Sequence, residues 1–180
     1  ITFVAQKLYM DRLEQIKQPI QAEFEVFKQK FDASLQSSNP LLGEVINFIK
    51  QRKGKMMRPI LTLLIAKLVG KINESTYYAA ISLELLHTAS LIHDDVVDES
   101  DKRRGQSSVN AIYDNKVSVL VGDYLLATSL ANAALSADIR LVDLVAHLGQ
   151  TLSEGEIIQL SNTNASDFSE EVYFEVIRKK

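Results

Sequence analysis

Helical periodicity runs through nearly the whole of this 180-residue chain and constrains its fold more than any other feature. Apolar residues recur three and four positions apart, as they do on the buried side of an α-helix, and the alternation typical of strands is scarce. Only seven glycines and three prolines interrupt this pattern. The length suits one compact domain, so we predict an all-α fold in which residues 1–180 form a single helical domain.

Turn and capping signals divide the chain into successive helices. The predicted helices cover residues 1–36 with a kink or a restart at Pro19, then 41–52, 59–69, 74–99, 109–113, 116–136, 138–163 and 169 onward. Gly70 is expected to end the third helix in the usual C-terminal manner, and Asn73 to cap the fourth. Asp167 and Glu170 are expected to form a capping box for the last helix. The polar, basic stretch 100–108 is expected to be a loop.

Composition excludes several classes of partner and site. The formal net charge is −3 at pH 7 with both signs mixed along the chain, so no overall field favours nucleic acid or an anionic membrane surface. The absence of cysteine excludes disulfides and thiolate metal sites. It is also compatible with a reducing cytosol, so we expect a cytoplasmic protein. No N-terminal signal peptide is visible.

The segment from Val117 to Ala137 is apolar enough to raise the question of a membrane span. Polar residues dilute it, among them Asp123 and Asn132. A helix that is apolar on most sides is more often the centre of a bundle or a subunit interface. We therefore expect this helix to be buried and not to span a membrane.

Three aspartates cluster at the C-terminal end of the predicted helix 74–99. Asp94 and Asp98 lie one turn apart on the same side, about 6 Å along the axis, with Asp95 beside them. Carboxylates four residues apart repel each other, and the helix dipole disfavours negative charge at this end. A bound cation would reverse both penalties, and oxygen ligands favour a hard ion such as Mg²⁺. The alternative is a solvated acidic helix end.

Two pairs of basic residues could bind an anion. Lys55 and Arg58 flank the start of the helix that Pro59 begins, where backbone amides also favour anions. Arg103 and Arg104 follow the aspartates, and planar guanidinium groups bind phosphate oxygens bidentately. With a magnesium ion, these residues would suit a diphosphate. Solvated surface cations, or salt bridges from the arginines to nearby acids, are the alternatives.

Other polar residues fall on helix positions near the aspartates. His87 precedes Asp94 by about two turns and could point into the same cavity, although a lone histidine there is more often a satisfied core residue. Glu156 and Gln159 share one side of a later helix and could reach a substrate or metal-bound water. Surface polarity explains that pair almost as well. The remaining histidines, His93 and His147, are expected to be structural.

Five segments occur in a specific order and spacing between about residue 40 and the end of the chain. They are Gly54–Pro59, Glu84–Asp98, Arg103–Gly105, Gly122–Leu125 and Gly155–Gln159. In this combination the chain resembles the trans-type polyprenyl diphosphate synthases, or isoprenyl diphosphate synthases. The resemblance implies a bundle of mostly antiparallel helices around a central cavity, the isoprenoid synthase fold. It also implies a magnesium-dependent prenyltransferase, usually a homodimer, that condenses isopentenyl diphosphate with an allylic diphosphate.

The resemblance implies a role for each matching residue. Asp94 and Asp98 would coordinate Mg²⁺, with Asp95 assisting, and Arg103 would hold the allylic diphosphate. The residues that would hold isopentenyl diphosphate are Lys55, Arg58, His87 and Arg104. Gln159 would lie near the allylic diphosphate, and Lys180 matches the lysine that the family follows with threonine.

Two small residues bear on product length. In the resembling family, enzymes with short products commonly carry bulky aromatics four and five residues before the first aspartate, where the growing tail descends between helices. Here those positions hold Ser90 and Ala89. We therefore predict a product longer than farnesyl diphosphate, such as the precursor of a quinone side chain.

The chain departs from the resembling family in one respect. The family has a second aspartate-rich motif on a later helix, and this sequence contains none. No turn signal ends the last helix before Lys180. We therefore expect the chain to be the N-terminal portion of a longer catalytic domain, incomplete at its C-terminus and inactive alone.

Three other functions remain open at this stage. A non-catalytic partner subunit of a heteromeric prenyl synthase is the main alternative, although such a subunit has no need to keep the full set of charged residues. A class I terpene cyclase also uses an aspartate-rich motif, but it binds one diphosphate and would not need the segment Gly54–Pro59. The simplest alternative is a helical scaffold with an acidic helix end.

Overall fold

The computed structural model describes residues 12–51, 54–162 and 169–180, and the described chain is almost entirely helical. Helix α1 is described over residues 12–17 and continues into a 3-10 turn at Gln18–Ile20. The helices that follow are α2 (Gln21–Ser34), α3 (Pro40–Gln51), α4 (Met57–Val69), α5 (Glu74–Val97), α6 (Val109–Tyr113), α7 (Asn115–Leu135), α8 (Ile139–Asn162) and α9 (Glu170–Lys179). The predicted all-α fold is confirmed.

Most predicted helix boundaries agree with the structure to within about two residues. The first helical region is divided near Pro19, as expected, by the 3-10 turn. Helix α4 begins two residues before Pro59, which therefore lies in the first turn where a proline costs no hydrogen bond. Helix α5 ends at Val97, so Asp98 occupies its C-cap. The predicted start of the first helix lies outside the described residues.

The segment predicted as a loop after α5 contains a tight hairpin. Strands β1 (Lys102–Arg103) and β2 (Gln106–Ser107) pair antiparallel, with Arg103 opposite Gln106. The two turn residues, Arg104 and Gly105, both have positive φ, at 53° and 80°. A two-residue hairpin turn with positive φ at both positions matches the twist of the flanking strands. Sequence reasoning missed this turn because only one of its two residues is a glycine.

The capping predictions have mixed outcomes. Asn73 caps α5 through a capping box, in which its side chain accepts a hydrogen bond from the N–H of Thr76. Gly70 ends α4, but its φ of 178° is extended and not left-handed as the usual glycine cap would be. Helix α9 is capped by Ser169, whose side chain accepts from the N–H of Val172. The proposed partner Asp167 lies outside the described residues.

Helices α5 and α7 form the most extensive helix pair in the described chain, and the other helices pack around it. Helix α5 is buried on several sides, and α2 covers it with a ladder of aromatic rings, Phe24, Phe27 and Phe31. A smaller apolar cluster joins α5, α7 and α8 through Leu86, Ala133 and Val145. The core is therefore built on α5, which also carries the aspartates.

Helix α7 is the only described helix long and apolar enough to cross a membrane, with a mean hydropathy of 1.3 over the qualifying window. It nevertheless packs along α5 and buries polar side chains, including Ser118 and Asn132. Ser129 Oγ donates a hydrogen bond to the carbonyl of Ser82 at 2.7 Å. Such polar contacts with a neighbouring helix favour the core position predicted from the sequence.

A close contact between α5 and α7 requires a glycine. A Cβ atom on Gly122 would lie 2.2 Å from His93 Nε2. The same imidazole nitrogen lies 3.3 Å from the carbonyl oxygen of Val119 and 3.3 Å from Asp123 Oδ1. His93 therefore has the structural role expected from the sequence, and it fixes α5 against α7 one residue before Asp94.

Gly122→Ala is expected to lower the free energy of unfolding by about 1–3 kcal/mol, because the added methyl displaces the His93 ring from both of its α7 partners. Urea denaturation of the purified chain measures this change. Gly149→Ala is the matched control, since a Cβ there meets Leu86 at an ordinary 3.8 Å, and it should leave stability unchanged or slightly higher. Equal stability of the Gly122→Ala variant and the wild type would contradict the proposed contact.

Candidate active site

A cavity of about 660 Å³ opens between α5, the hairpin and the start of α4. One side of α5 lines it with residues spaced three and four apart, namely Glu84, His87, Thr88, Leu91, Ile92 and Asp95. Five basic side chains also line it, namely Lys50, Lys55, Arg58, Arg103 and Arg104. The apolar part is formed by Phe31 and Leu35 from α2, Ile46 and Ile49 from α3, and Leu125 from α7. The cavity thus combines a cationic region with an apolar region.

The start of α4 presents one of the two basic pairs. Met56 precedes this helix with a positive φ of 50° and provides no side-chain cap. The first backbone N–H groups of α4 are therefore available to an anion, which the positive end of the helix dipole also favours. Arg58 is exposed in this first turn, and Lys55 is exposed just before it. Both residues, which the sequence offered as anion-binding candidates, line the cavity.

The hairpin separates its two arginines. Arg103 turns toward α5, where its Nε donates to Asp95 Oδ1 at 2.7 Å. Asp95 is buried, and its backbone carbonyl also accepts from the N–H of Ser100 at 2.9 Å. Arg104 occupies the turn, where it is exposed at the cavity. The turn therefore anchors one guanidinium group to α5 and leaves the next facing the space in front of it.

His87 and Glu84 lie one turn apart on the cavity side of α5. Burial, together with the nearby positive charges of Arg58, Arg104 and Arg103, lowers the pKa of His87 to about 4. His87 is therefore neutral at physiological pH and offers one hydrogen-bond donor and one acceptor. Burial raises the pKa of Glu84, whereas the positive charges of Arg58 and Arg104 lower it. Both groups are thus within electrostatic reach of the same two arginines.

Asp94 and Asp98 lie at the C-terminal end of α5, outside the cavity lining. Asp94 is half-buried and Asp98 is exposed. Burial raises the pKa of Asp94, and the negative charges of Glu156 and Asp98 raise it as well, while Lys180 and Arg103 act in the opposite direction. A cation near Asp94 would relieve both the burial and the repulsion.

Within the described ranges, no three histidine, aspartate or glutamate side chains are grouped as a complete metal site. The carboxylates of Asp94 and Asp98 fit Mg²⁺, which commonly takes one or two protein carboxylates and completes its shell with water and substrate phosphate oxygens. Among the residues that the structure describes, Asp94 and Asp98 have no salt-bridge partner, whereas Asp95 is paired with Arg103. The first two carboxylates therefore suit direct contact with a metal better than the third.

Helices α8 and α9 bring a second polar cluster near Asp94. Lys180 pairs with Glu156 Oε2 and also donates to Gln159 Oε1 at 2.8 Å. Helix α9 can approach this closely because α8 has Gly155 at the crossing, where a Cβ would lie 2.8 Å from Lys179 Cβ. The sequence-predicted Gln159 and Lys180 are therefore brought together, and the charges of Glu156 and Lys180 both act on Asp94.

Sequence reasoning named most of the residues that the structure gathers here, and it gave no separate role to Glu84. The available signal was its spacing, three residues before His87 and eleven before Asp95, which repeats the helical period. Outside the site, His147 is exposed on α8 beside Asp143, at 3.2 Å. That location agrees with the structural role expected for His147.

Comparison with known proteins gives consistent results. A family model described as polyprenyl synthetase matches residues 39–180. An octaprenyl diphosphate synthase from Haemophilus influenzae is 36% identical over 171 residues, which make up 95% of this chain and 51% of that protein. The chain therefore spans about half the length of this curated relative.

Two solved structures have the same fold over the chain. A geranylgeranyl pyrophosphate synthase from Bacteroides thetaiotaomicron is 54% identical, with a TM-score of 0.75, and the match covers 94% of this chain and 50% of that one. A polyprenyl synthase from Caulobacter crescentus, complexed with calcium and isoprenyl diphosphate, is 29% identical with a TM-score of 0.88, over 93% of this chain and 51% of that one. By family match, sequence identity and fold, this chain belongs to the polyprenyl synthetase family and has the all-helical isoprenoid synthase fold.

Proposed function

We propose that this chain carries the first half of a prenyltransferase active site, within a longer catalytic domain. The reaction would condense isopentenyl diphosphate with an allylic diphosphate to give a polyprenyl diphosphate longer than farnesyl diphosphate. One observation carries the proposal: α5 carries His87 into the cationic cavity, which Arg104 of the hairpin also lines, and ends in the carboxylate pair Asp94 and Asp98. Two diphosphate subsites would thus be adjacent on one helix.

The isopentenyl diphosphate would bind in the cationic part of the cavity. Arg58 and Arg104 offer planar guanidinium groups that suit bidentate binding of phosphate oxygens, and Lys55 adds a third positive charge. His87, being neutral, would donate one hydrogen bond to the diphosphate without adding to the charge. The apolar lining next to these groups would contact the five-carbon chain.

The allylic diphosphate would bind at the end of α5. Asp94 and Asp98 would hold Mg²⁺, with Asp95 assisting, and the Caulobacter relative is known with calcium and isoprenyl diphosphate. Arg103 would contact the diphosphate from the hairpin, while Gln159 and Lys180 would approach it from α8 and α9. Once bound, the metal would stabilise the negative charge of the departing diphosphate.

The chemistry follows from charge stabilisation and from exclusion of water. Arginine and lysine side chains would stabilise the leaving diphosphate, so that the allylic carbon becomes cation-like before the isopentenyl double bond attacks it. No protein nucleophile is required. The apolar helices around α5 would keep water from quenching the cation.

Product length would depend on the two small residues upstream of Asp94. Ala89 is buried in the core, and Ser90 is half-buried, with its Oγ donating to the carbonyl of His87. Neither side chain would block a growing prenyl tail beside α5. The Haemophilus relative is named for an octaprenyl product and the Bacteroides relative for a geranylgeranyl product, and both of these chains are longer than farnesyl. A quinone side-chain precursor is the product that we propose.

We also propose a cytoplasmic homodimer. Helix α7 leaves large apolar side chains exposed, including Leu120 at 67% and Leu135 at 63%. Burial of these residues between two subunits would remove apolar surface from water. The lack of cysteine is compatible with the cytosol.

The second candidate function is a non-catalytic partner subunit of a heteromeric prenyl synthase. The intact cationic set at the cavity favours the enzyme, because a subunit without catalysis has no need of it. Sequencing the source gene beyond Lys180 separates them, since a second aspartate-rich helix would support the enzyme and an immediate stop codon would support the partner subunit.

In the protein expressed from the complete gene, Asp94→Ala and Asp98→Ala are each expected to lower turnover at least about a hundredfold, because each removes a ligand that orients the metal against the leaving diphosphate. Product formation from labelled isopentenyl diphosphate measures turnover, and circular dichroism checks the fold. Asp143→Ala, on the exposed side of α8, is the control and should retain normal turnover. Wild-type rates in both aspartate variants would refute the metal assignment.

Ala89→Phe is expected to shorten the dominant product, because a phenyl ring beside α5 would block the path of the growing tail. Ser90→Phe, at a less buried position, should act in the same direction with less strain on the core. Chromatography of the dephosphorylated products measures chain length. Ala146→Phe on exposed α8 surface is the matched control. An unchanged product spectrum in both folded variants would exclude this location for the tail.

A further inference from the structure

Glu84 is a buried carboxylate that the proposed reaction does not use. Only 9% of the residue is exposed. Its Oε2 atom is fully buried and has no hydrogen-bond partner among residues 12–51, 54–162 and 169–180. A buried carboxylate without a partner destabilises a folded protein. Folding alone therefore gives no reason for a glutamate at this position of α5.

The surroundings of Glu84 point to the function of the cavity. Glu84 lines the same cavity as Arg58 and Arg104 and lies one turn from His87. The positive charges of these two arginines lower the pKa of Glu84 and also that of His87. Neither guanidinium group forms a salt bridge to Glu84, so both are near this carboxylate without contacting it.

We propose that Glu84 is a positioning residue for Arg58 and Arg104 in the isopentenyl diphosphate subsite. A guanidinium group has five N–H donors in one plane, so it can bind phosphate oxygens along one edge and a carboxylate along another. When a diphosphate draws the two arginines over the cavity, the unpartnered oxygen of Glu84 accepts a hydrogen bond from the edge that faces α5. The arginines are thereby fixed in the orientation that binds the diphosphate. This inference rests on the proposed function of the subsite.

The direction in which Glu84→Gln changes diphosphate binding distinguishes a positioning role from the alternatives. If Glu84 acted only through its charge, it would repel the diphosphate, and Glu84→Gln would tighten binding. If it orients the arginines, Glu84→Gln weakens binding although a negative charge has been removed next to an anion site. If it served only the fold, the same variant would lower stability. Removal of an unpartnered buried charge is instead expected to leave stability unchanged or raise it.

Titration calorimetry of the protein expressed from the complete gene with inorganic diphosphate, in the presence of EDTA, tests the proposal. Glu84→Gln is expected to raise the dissociation constant about tenfold, the effect of one charge-assisted hydrogen bond, while its melting temperature stays at or above that of the wild type. Glu84→Asp keeps the charge and should bind more tightly than Glu84→Gln. Glu25→Gln, on the exposed side of α2, changes the net charge equally and should bind like the wild type.

A second substitution tests whether Glu84 acts through the arginines. On an Arg104→Ala background, Glu84→Gln should weaken binding by clearly less than tenfold, because one of its partners has been removed. Suppose that the wild type binds diphosphate and Arg58→Ala weakens that binding. If Glu84→Gln then leaves diphosphate binding unchanged or tightens it, this inference alone is overturned. A lower melting temperature in Glu84→Gln with unchanged binding would also overturn it. Absence of diphosphate binding by the wild type, or equal binding by Arg58→Ala, would overturn the proposed subsite and the inference together.

Discussion

The packing of α5 against α7 is the contact on which the rest of the structure depends. Helix α5 is buried on several sides and provides the core contacts of α2, α4, α7 and α8. The same helix carries Glu84 and His87 into the cavity and ends at Asp94 and Asp98. Because Gly122 accepts the His93 ring at close range, the rotation of α5 about its axis is fixed one residue before the aspartates. Core packing therefore sets the direction of the functional side chains.

Charge is arranged around α5 at a cost to stability. Basic groups gather at the cavity and acidic groups at the helix C-terminus, where neither the helix dipole nor burial favours them. Burial and like charges raise the pKa of Asp94, and burial raises the pKa of Glu84. Folded proteins tolerate such groups mainly at sites that bind or react. Bound cations and anions would relieve these unfavourable interactions, which links the site to the substrates that we propose.

The helices and the membership of the family could be predicted from the sequence because both depend on local patterns. Apolar spacing defines helices directly, and a capping residue such as Asn73 acts on the turn that follows it. The hairpin was missed because its turn needs Arg104 in a conformation that few non-glycine residues adopt. The end of α4 was located correctly at Gly70, although its backbone is extended and not left-handed.

The sequence by itself determined the helical segments, the segments shared with the family and the types of charged residue at the site. Only the tertiary structure decided how these residues pair: Arg103 contacts Asp95, Lys180 contacts Glu156, and Glu84 Oε2 has no hydrogen-bond partner among the described residues. The physical reason is distance along the chain. Residues within one helix meet at a fixed period, whereas Glu156 and Lys180 meet only because α8 and α9 cross at Gly155. Helix crossing depends on the packing of the whole chain, and no local pattern encodes it.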